Sequence, residues 1–157
     1  MSAEPVDDGL TVGDRIRNLL GTYCERIDAG DFAGVGELFA RGGLAAGAPD
    51  APPFVTGAEA VRAFYEGGTR LHDGSPRTKH VVADTVLAGP AADGSVTARS
   101  SYVVFQATDE LPLQAIIAGR YVDRFEQDGD GSWWFARRHF AVDLMGDLSH
   151  HWAGPTG

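Results

Sequence analysis

The chain has 157 residues, 43% of them hydrophobic and 22% charged, and a formal net charge of -9. That length fits one globular domain and leaves no room for a second core, and so acidic a chain repels phosphate backbones, so nucleic acid is not an expected partner. The only cysteine, Cys24, excludes an internal disulfide and a multi-cysteine zinc site and goes with a reducing, cytoplasmic compartment.

Residues 1–10 read as a flexible lead-in, acidic and without the apolar segment of a secretory leader. No apolar run is long enough to span a membrane, so no membrane association is expected. Thr11 is placed to cap a helix in which Val12, Ile16, Leu19, Leu20, Tyr23 and Ile27 recur at helical spacing, with Gly30 as its stop. Asp31 can cap a second, short helix carrying Phe32, Val35, Leu38 and Phe39. Residues 41–53, rich in Gly, Ala and Pro, read as a connection. The run Thr56-Gly57-Ala58-Glu59 predicts a capping box opening a third helix, with Val61, Phe64 and Tyr65 inward and Gly67-Gly68 at its end.

From Arg77 the period changes. Four β-rich runs follow, over 80–88, 96–107, 113–127 and 133–144, separated by Gly89-Pro90 with Asp93-Gly94, by Asp109 to Pro112, and by Asp128-Gly129-Asp130-Gly131. Short turns between consecutive strands predict an antiparallel meander. Helices first and strands after is an α+β order: a cone-shaped, bent antiparallel sheet with about three N-terminal helices enclosing an apolar cavity. The domain is expected over 11–152, with a flexible tail over 153–157. Large apolar residues on both faces of 113–144 (Ile116, Ile117, Phe125, Trp134, Phe140) predict a homodimer or homotrimer.

Two elements carry the candidate chemistry. Asp28 continues the Leu20–Cys24 row beside the apolar stripe of the first helix, where a carboxylate facing the hollow is expected to have a raised pKa. In Thr78-Lys79-His80-Val81-Val82-Ala83-Asp84, strand alternation puts His80, Val82 and Asp84 on one face. An imidazole titrates near neutrality, which suits a general acid or base, and a carboxylate partner fixes its tautomer and stabilises the imidazolium. Asp84, about 13 Å further along a strand, is too distant to be that partner and reads as an acid at the cavity rim.

Tyr102 and Gln106 share one strand face, Tyr121 lies on the next strand, and Tyr23 and Tyr65 point inward from helices. These residues are the candidate substrate contacts. His139 alternates with Arg137 and Asp143 and is a further candidate, for the cavity or for a subunit interface. His150-His151 with Asp147 lack metal-ligand spacing, so the end of the chain reads as a terminal tail and no metal is expected.

Ile27-Asp28-Ala29-Gly30-Asp31-Phe32, Thr78-Lys79-His80, Gly119-Arg120-Tyr121-Val122-Asp123-Arg124-Phe125, Trp133-Trp134-Phe135-Ala136 and Gly146-Asp147-Leu148-Ser149-His150-His151 carry a family resemblance. On these motifs the chain resembles the SnoaL-like branch of the nuclear transport factor two superfamily, over roughly Thr11 to Trp152. That superfamily includes scytalone dehydratase, ketosteroid isomerase, limonene epoxide hydrolase, polyketide cyclases and the small subunits of ring-hydroxylating dioxygenases. The resemblance to scytalone dehydratase implies that its catalytic Asp falls on Asp28 and one catalytic His on His80. Its second catalytic His falls near Gln106, which has no titrating side chain. Its hydroxyl and amide contacts fall near Gly119 and Tyr121, and its first-helix Tyr falls on Ile27.

Residues and resemblance together predict a cofactor-free lyase, isomerase or cyclase, most like a dehydratase. It would act by general acid–base catalysis on a small apolar molecule of polyketide, steroid or terpenoid kind, with few other charges in the hollow. Two alternatives stand beside it: a non-catalytic ligand-binding or assembly subunit like the dioxygenase small subunits, and an epoxide hydrolase or epoxide-opening cyclase. The last wants more carboxylates and an Arg in the hollow.

Overall fold

A computed structural model of the chain describes residues 8–154. The flexible ends expected at 1–10 and 153–157 fall mostly outside that range. The first helix, α1 (Val12–Asp28), opens on the predicted cap: the Thr11 hydroxyl accepts the Asp14 N–H at 3.2 Å and the Asp14 carboxylate accepts the Thr11 N–H at 2.9 Å. Ile16, Leu20, Tyr23 and Ile27 form its buried stripe. Val12 was expected in that stripe but lies in the first turn, 45% exposed. Helix α2 (Phe32–Leu38) follows at once, with the Asp31 carboxylate accepting the Gly34 N–H at 2.9 Å.

The stretch read as a connection holds a strand, β1 (Gly43–Ala45), and β2 (Val55–Thr56) lies just beyond it. Elements this short show no periodicity in sequence. Helix α3 (Ala58–Gly68) has Gly57 as its cap, at φ +85°, with no side-chain hydrogen bond there. The capping box expected at Thr56 does not form, because Thr56 is already committed to β2.

Four long strands complete the chain: β3 (Thr78–Ala88), β4 (Val96–Gln106), β5 (Gln114–Gln127) and β6 (Trp133–Met145). They pair antiparallel in succession, and the six-stranded sheet runs β2-β1-β6-β5-β4-β3. The predicted α+β cone is the observed fold. One feature is added to the expected antiparallel meander: β1 runs parallel to β6, with Leu44 beside Arg138, so the sheet is mixed. The three helices cover one face. Between the layers Ile16, Phe39, Leu44, Phe125 and Phe135 are fully buried, and the Phe135 ring lies 4.8 Å from Phe39 and 4.6 Å from Phe125. Burying each such side chain stabilises the fold by about 1.5–3 kcal/mol.

A bulge in β3 changes which residues reach the core. Ala83 pairs with Ser101 and Val86 with Arg99, so Asp84 and Thr85 together oppose one residue of β4. Asp84 sits at φ +53°, a left-handed conformation that Asp tolerates better than most residues. Past the bulge Thr85 and Leu87 take the inner face while Asp84 and Val86 are exposed. The shared face expected for His80, Val82 and Asp84 therefore ends at Val82.

After β6 the chain turns back over the mouth of the cone. The Gly146 N–H donates to the Ile116 carbonyl at 2.8 Å, the Arg70 N–H to the His151 carbonyl at 2.8 Å, and the Ala153 N–H to the Gly68 carbonyl at 3.0 Å.

Candidate active site

Asp28 is the last residue of α1, where a negative charge opposes the helix dipole. Three donors from the start of β3 offset that. The His80 Nδ1–H reaches Asp28 Oδ1 at 2.6 Å, the Thr78 hydroxyl reaches the same oxygen at 2.9 Å, and the His80 backbone N–H reaches Oδ2 at 2.9 Å. Both side chains are shielded, His80 8% exposed and Asp28 13%. With Nδ1 bound to the carboxylate, the neutral ring carries its proton there and presents a lone pair at Nε2.

Burial is the largest influence on the Asp28 carboxyl and pushes its pKa up. The His80 ring hydrogen bond and charge, the His80 N–H and the Thr78 hydroxyl together outweigh it and hold the group below its usual 3.8. The raised pKa expected for Asp28 is thus reversed, because the carboxylate is hydrogen-bonded and not merely desolvated.

His80 borders two spaces. A hollow of about 90 Å³ lies between α1, α3, the start of β3 and the C-terminal segment, walled by Ile27, Phe64, Tyr65, His80, His151 and Trp152 among others. A more open cleft of about 580 Å³ runs between α1 and β3, lined by Leu20, Cys24, His80 and Val82 among others. The Cys24 thiol is pushed up, first by burial, so it stays protonated and is no ready nucleophile.

The tyrosines expected around the pair form one connected group. Tyr23 meets His80 edge-on at 6.2 Å, its hydroxyl lies 2.8 Å from that of Tyr65, and Tyr121 packs edge-on against it at 6.3 Å. Tyr121 in turn stacks on Tyr102 at 4.2 Å. Gly119 makes this stack possible, since a Cβ there would lie 2.9 Å from the Tyr102 ring and collide with the Ala141 carbonyl oxygen. Burial pushes the Tyr23 hydroxyl up, those of Tyr65 and Tyr121 well above 10, and that of Tyr102 up to about 12. All four therefore stay phenols that can donate a hydrogen bond at neutral pH.

Two predicted contacts are engaged elsewhere. Gln106 is buried with its amide donating to the Pro76 carbonyl at 3.0 Å and the His150 carbonyl at 3.1 Å, so it tethers the C-terminal segment. His139 is buried with Nε2 3.1 Å from the Gly47 carbonyl, beside β1, and its ring is held there away from the Asp28–His80 pair. The Gln106 amide N–H groups and His139 Nε2 are thus committed to backbone, while Gln106 Oε1 is buried without a hydrogen-bond partner.

The lining of the hollow holds no Asp, Glu, Lys or Arg side chain, in keeping with the expectation of few other charges there, and a charged pair sits elsewhere in the core. Arg138 and Asp123 are both wholly buried and paired through two bonds, Nε to Oδ1 at 2.8 Å and Nη2 to Oδ2 at 2.9 Å. The Arg138 guanidinium lies 3.8 Å from the Tyr121 ring centre and 4.2 Å from that of Tyr23, and its Nη1 has no hydrogen-bond partner. Burial raises the Asp123 carboxyl despite Arg138. Burial also works against the Arg138 charge, yet Asp123 and the rings carry its pKa well above the usual arginine value. The two-pronged geometry favours the ionic form for the pair. A signal for it existed in the sequence: Asp123 falls in the same alternating phase as Tyr121 and Phe125, a charge at a core position. His151 and Trp152 were also missed, because nothing periodic marks the segment that carries them. Among the described residues no three His, Cys, Asp or Glu side chains converge as a metal site, and no helix is long and apolar enough to cross a membrane.

A bent sheet closed by three helices over a buried Asp–His pair defines a small α+β protein with an internal polar site. The chain belongs to the SnoaL-like domain family, whose model matches residues 10–139. Among solved structures it is similar to ActVI-ORFA from Streptomyces coelicolor, at 22% identity over 82% of this chain and 95% of that one, with a TM-score of 0.65. It is similar to a scytalone dehydratase candidate from Novosphingobium aromaticivorans, at 21% identity over 85% of each chain and a TM-score of 0.64. The candidate β subunit of an aromatic-ring-hydroxylating dioxygenase from the same organism is similar too, at 22% identity over 83% of this chain and 88% of that one, with a TM-score of 0.62. At these identities the likeness is one of fold. No curated protein matches the chain in sequence.

Proposed function

We propose that the protein is a cofactor-free lyase, isomerase or cyclase, most like a dehydratase, acting on a small apolar molecule of polyketide, steroid or terpenoid kind. The observation that carries this reading is the 2.6 Å contact between Asp28 and His80 in the wall of a hollow. In the dehydration we favour, His80 Nε2 removes a proton from the carbon next to a carbonyl, and the freed electron pair forms an enolate. A tyrosine hydroxyl stabilises the enolate oxygen. The enolate then collapses to a carbon–carbon double bond as the β-hydroxyl leaves, taking the proton from the imidazolium and departing as water. Asp28 holds the ring in place and balances its charge throughout.

The test is a set of polyketide-like β-hydroxyketones, with enone formation followed by absorbance. Wild-type protein turns over at least one member and His80→Ala loses that turnover. Equal rates for the two proteins would make His80 a packing residue.

A second reading, a binding or assembly subunit without catalysis, is favoured by the small size of the hollow, about 90 Å³. The epoxide-opening reading gains the interior Arg that it wants, Arg138, although that guanidinium is already paired with Asp123. We also propose that the protein works as a homodimer or homotrimer. Leu113, Leu144 and Met145 are 73%, 71% and 68% exposed where β5 begins and β6 ends, an apolar area that a second copy would cover. A cytoplasmic location goes with the single, free Cys24.

A further inference from the structure

The hollow beside His80 is walled by a second imidazole, that of His151. His151 is carried by the C-terminal segment, and that segment is pinned in place on several sides. Its carbonyl accepts the Arg70 N–H at 2.8 Å and its own N–H donates to the Leu148 carbonyl at 3.0 Å. The carbonyl of the preceding residue, His150, lies 2.8 Å from His72 Nε2 and accepts the Gln106 amide at 3.1 Å. Trp152, the next residue, bridges to Thr69 at the end of α3. The backbone is fully engaged, but the ring is not: His151 Nδ1 is buried without a hydrogen-bond partner.

An unpaired polar atom in a protein interior costs about 1–3 kcal/mol, and such a cost is commonly offset by a ligand or water at the site. The two imidazoles differ in kind. His80 is backed by the Asp28 carboxylate and suited to accept a proton. His151 has no carboxylate behind it. Burial, with the positive charge of His80 adding to it and Asp28 opposing it, drives its pKa down to about 4. At neutral pH it is an uncharged ring with one N–H to donate. One imidazole backed by a carboxylate and one without, both lining the same cavity, suit different roles in an acid–base site.

We infer that His151 is the second imidazole of the active site, donating a hydrogen bond to the substrate's carbonyl oxygen, and to the enolate that forms there, while His80 takes the proton. This rests on the proton-transfer reading above. It gives Gln106 a different task from the one the family resemblance implied: Gln106 holds the segment that delivers the second histidine.

The probe is 4-nitrophenol, whose phenolate oxygen imitates an enolate and whose absorbance reports its binding. Affinities are measured for wild type, His151→Phe, His151→Gln and His80→Gln. Loss of one hydrogen bond to the oxyanion weakens binding about tenfold in His151→Phe, and His151→Gln, which keeps an N–H donor, stays within about threefold of wild type. If His151→Phe binds like wild type while His80→Gln is weakened, His151 is only a lid residue and the proton-transfer reading survives alone. If neither variant differs from wild type, or wild type does not bind the probe, both ideas fall. Ring nitrogen NMR on the unmodified protein gives an answer independent of the variants' folding. Adding 4-nitrophenol shifts the His151 signals and leaves those of His139 in place, and unmoved His151 signals would overturn the inference.

Discussion

Asp28 Oδ2 accepts the backbone N–H of His80 at 2.9 Å while Oδ1 accepts the ring Nδ1–H of the same residue at 2.6 Å. One carboxylate thus fixes both where the strand starts and which way the imidazole faces. The same grip makes Asp28 a structural clamp between α1 and β3, so a loss of function on mutating it has to be separated from a loss of fold.

The first prediction makes that separation. On the proposed reading, Asp28→Asn and His80→Ala each lower kcat by about a hundred- to ten-thousand-fold with smaller effects on KM. The double variant costs little more than the worse single one, because the residues act as a unit. Circular dichroism at the assay temperature shows both single variants folded. Additive losses would mean two independent roles.

The second concerns acid stability. His151 has its pKa lowered from 6.5 to about 4 in the fold, so between those values the unfolded chain takes up a proton that the native one refuses. Stability falls as pH drops through that window. Asp28, lowered below 3.8, contributes stability that is present above 3.8 and lost as pH falls through its folded value. Urea midpoints measured from pH 7 to pH 3 should therefore decline in two stages. His151→Gln flattens the upper stage, and Asp28→Asn flattens the lower.

The third concerns the tyrosines. The chain has 4 of them, Tyr23, Tyr65, Tyr102 and Tyr121, and each is raised above 10 by burial. Ultraviolet titration of the native protein should show almost no phenolate at pH 10. In the unfolded chain these groups ionise near 10, so stability is full below that value and is lost as pH rises above it. Phenolate should appear together with unfolding.

The fourth concerns the interior ion pair. Arg138→Met or Asp123→Asn leaves a buried partner uncompensated and should lower stability by about 3–5 kcal/mol in urea denaturation. Replacing both at once, Arg138→Met with Asp123→Leu, should recover much of that loss, because no charge is then left alone. The double variant also tests the epoxide-opening reading, which needs the Arg and predicts loss of activity in a well-folded protein.

Much of this molecule follows from local rules. Thr11 with Asp14, Asp31 at the head of α2, the stripe from Ile16 to Ile27 and the period-two runs after Arg77 each act over a few residues, so the three helices and four long strands were legible in the sequence. So were Asp28 and His80 as partners, through the resemblance of their flanking motifs. What the chain alone did not reveal depends on contacts between distant segments. β1 has three residues and exists because β6 offers it a parallel edge. The bulge at Asp84 slips the face of β3 by one residue, which no count of alternating residues anticipates. Asp28 is lowered and not raised because its donors arrive from position 78 and beyond. Arg138 is tolerated in the core only because Asp123 and two tyrosine rings surround it, and His151 faces the hollow only because backbone bonds at Gly68, Arg70 and Ile116 draw the end of the chain across it. Short-range patterns specify elements; the environment of a charge is set by whatever the fold packs around it, and that is a tertiary quantity.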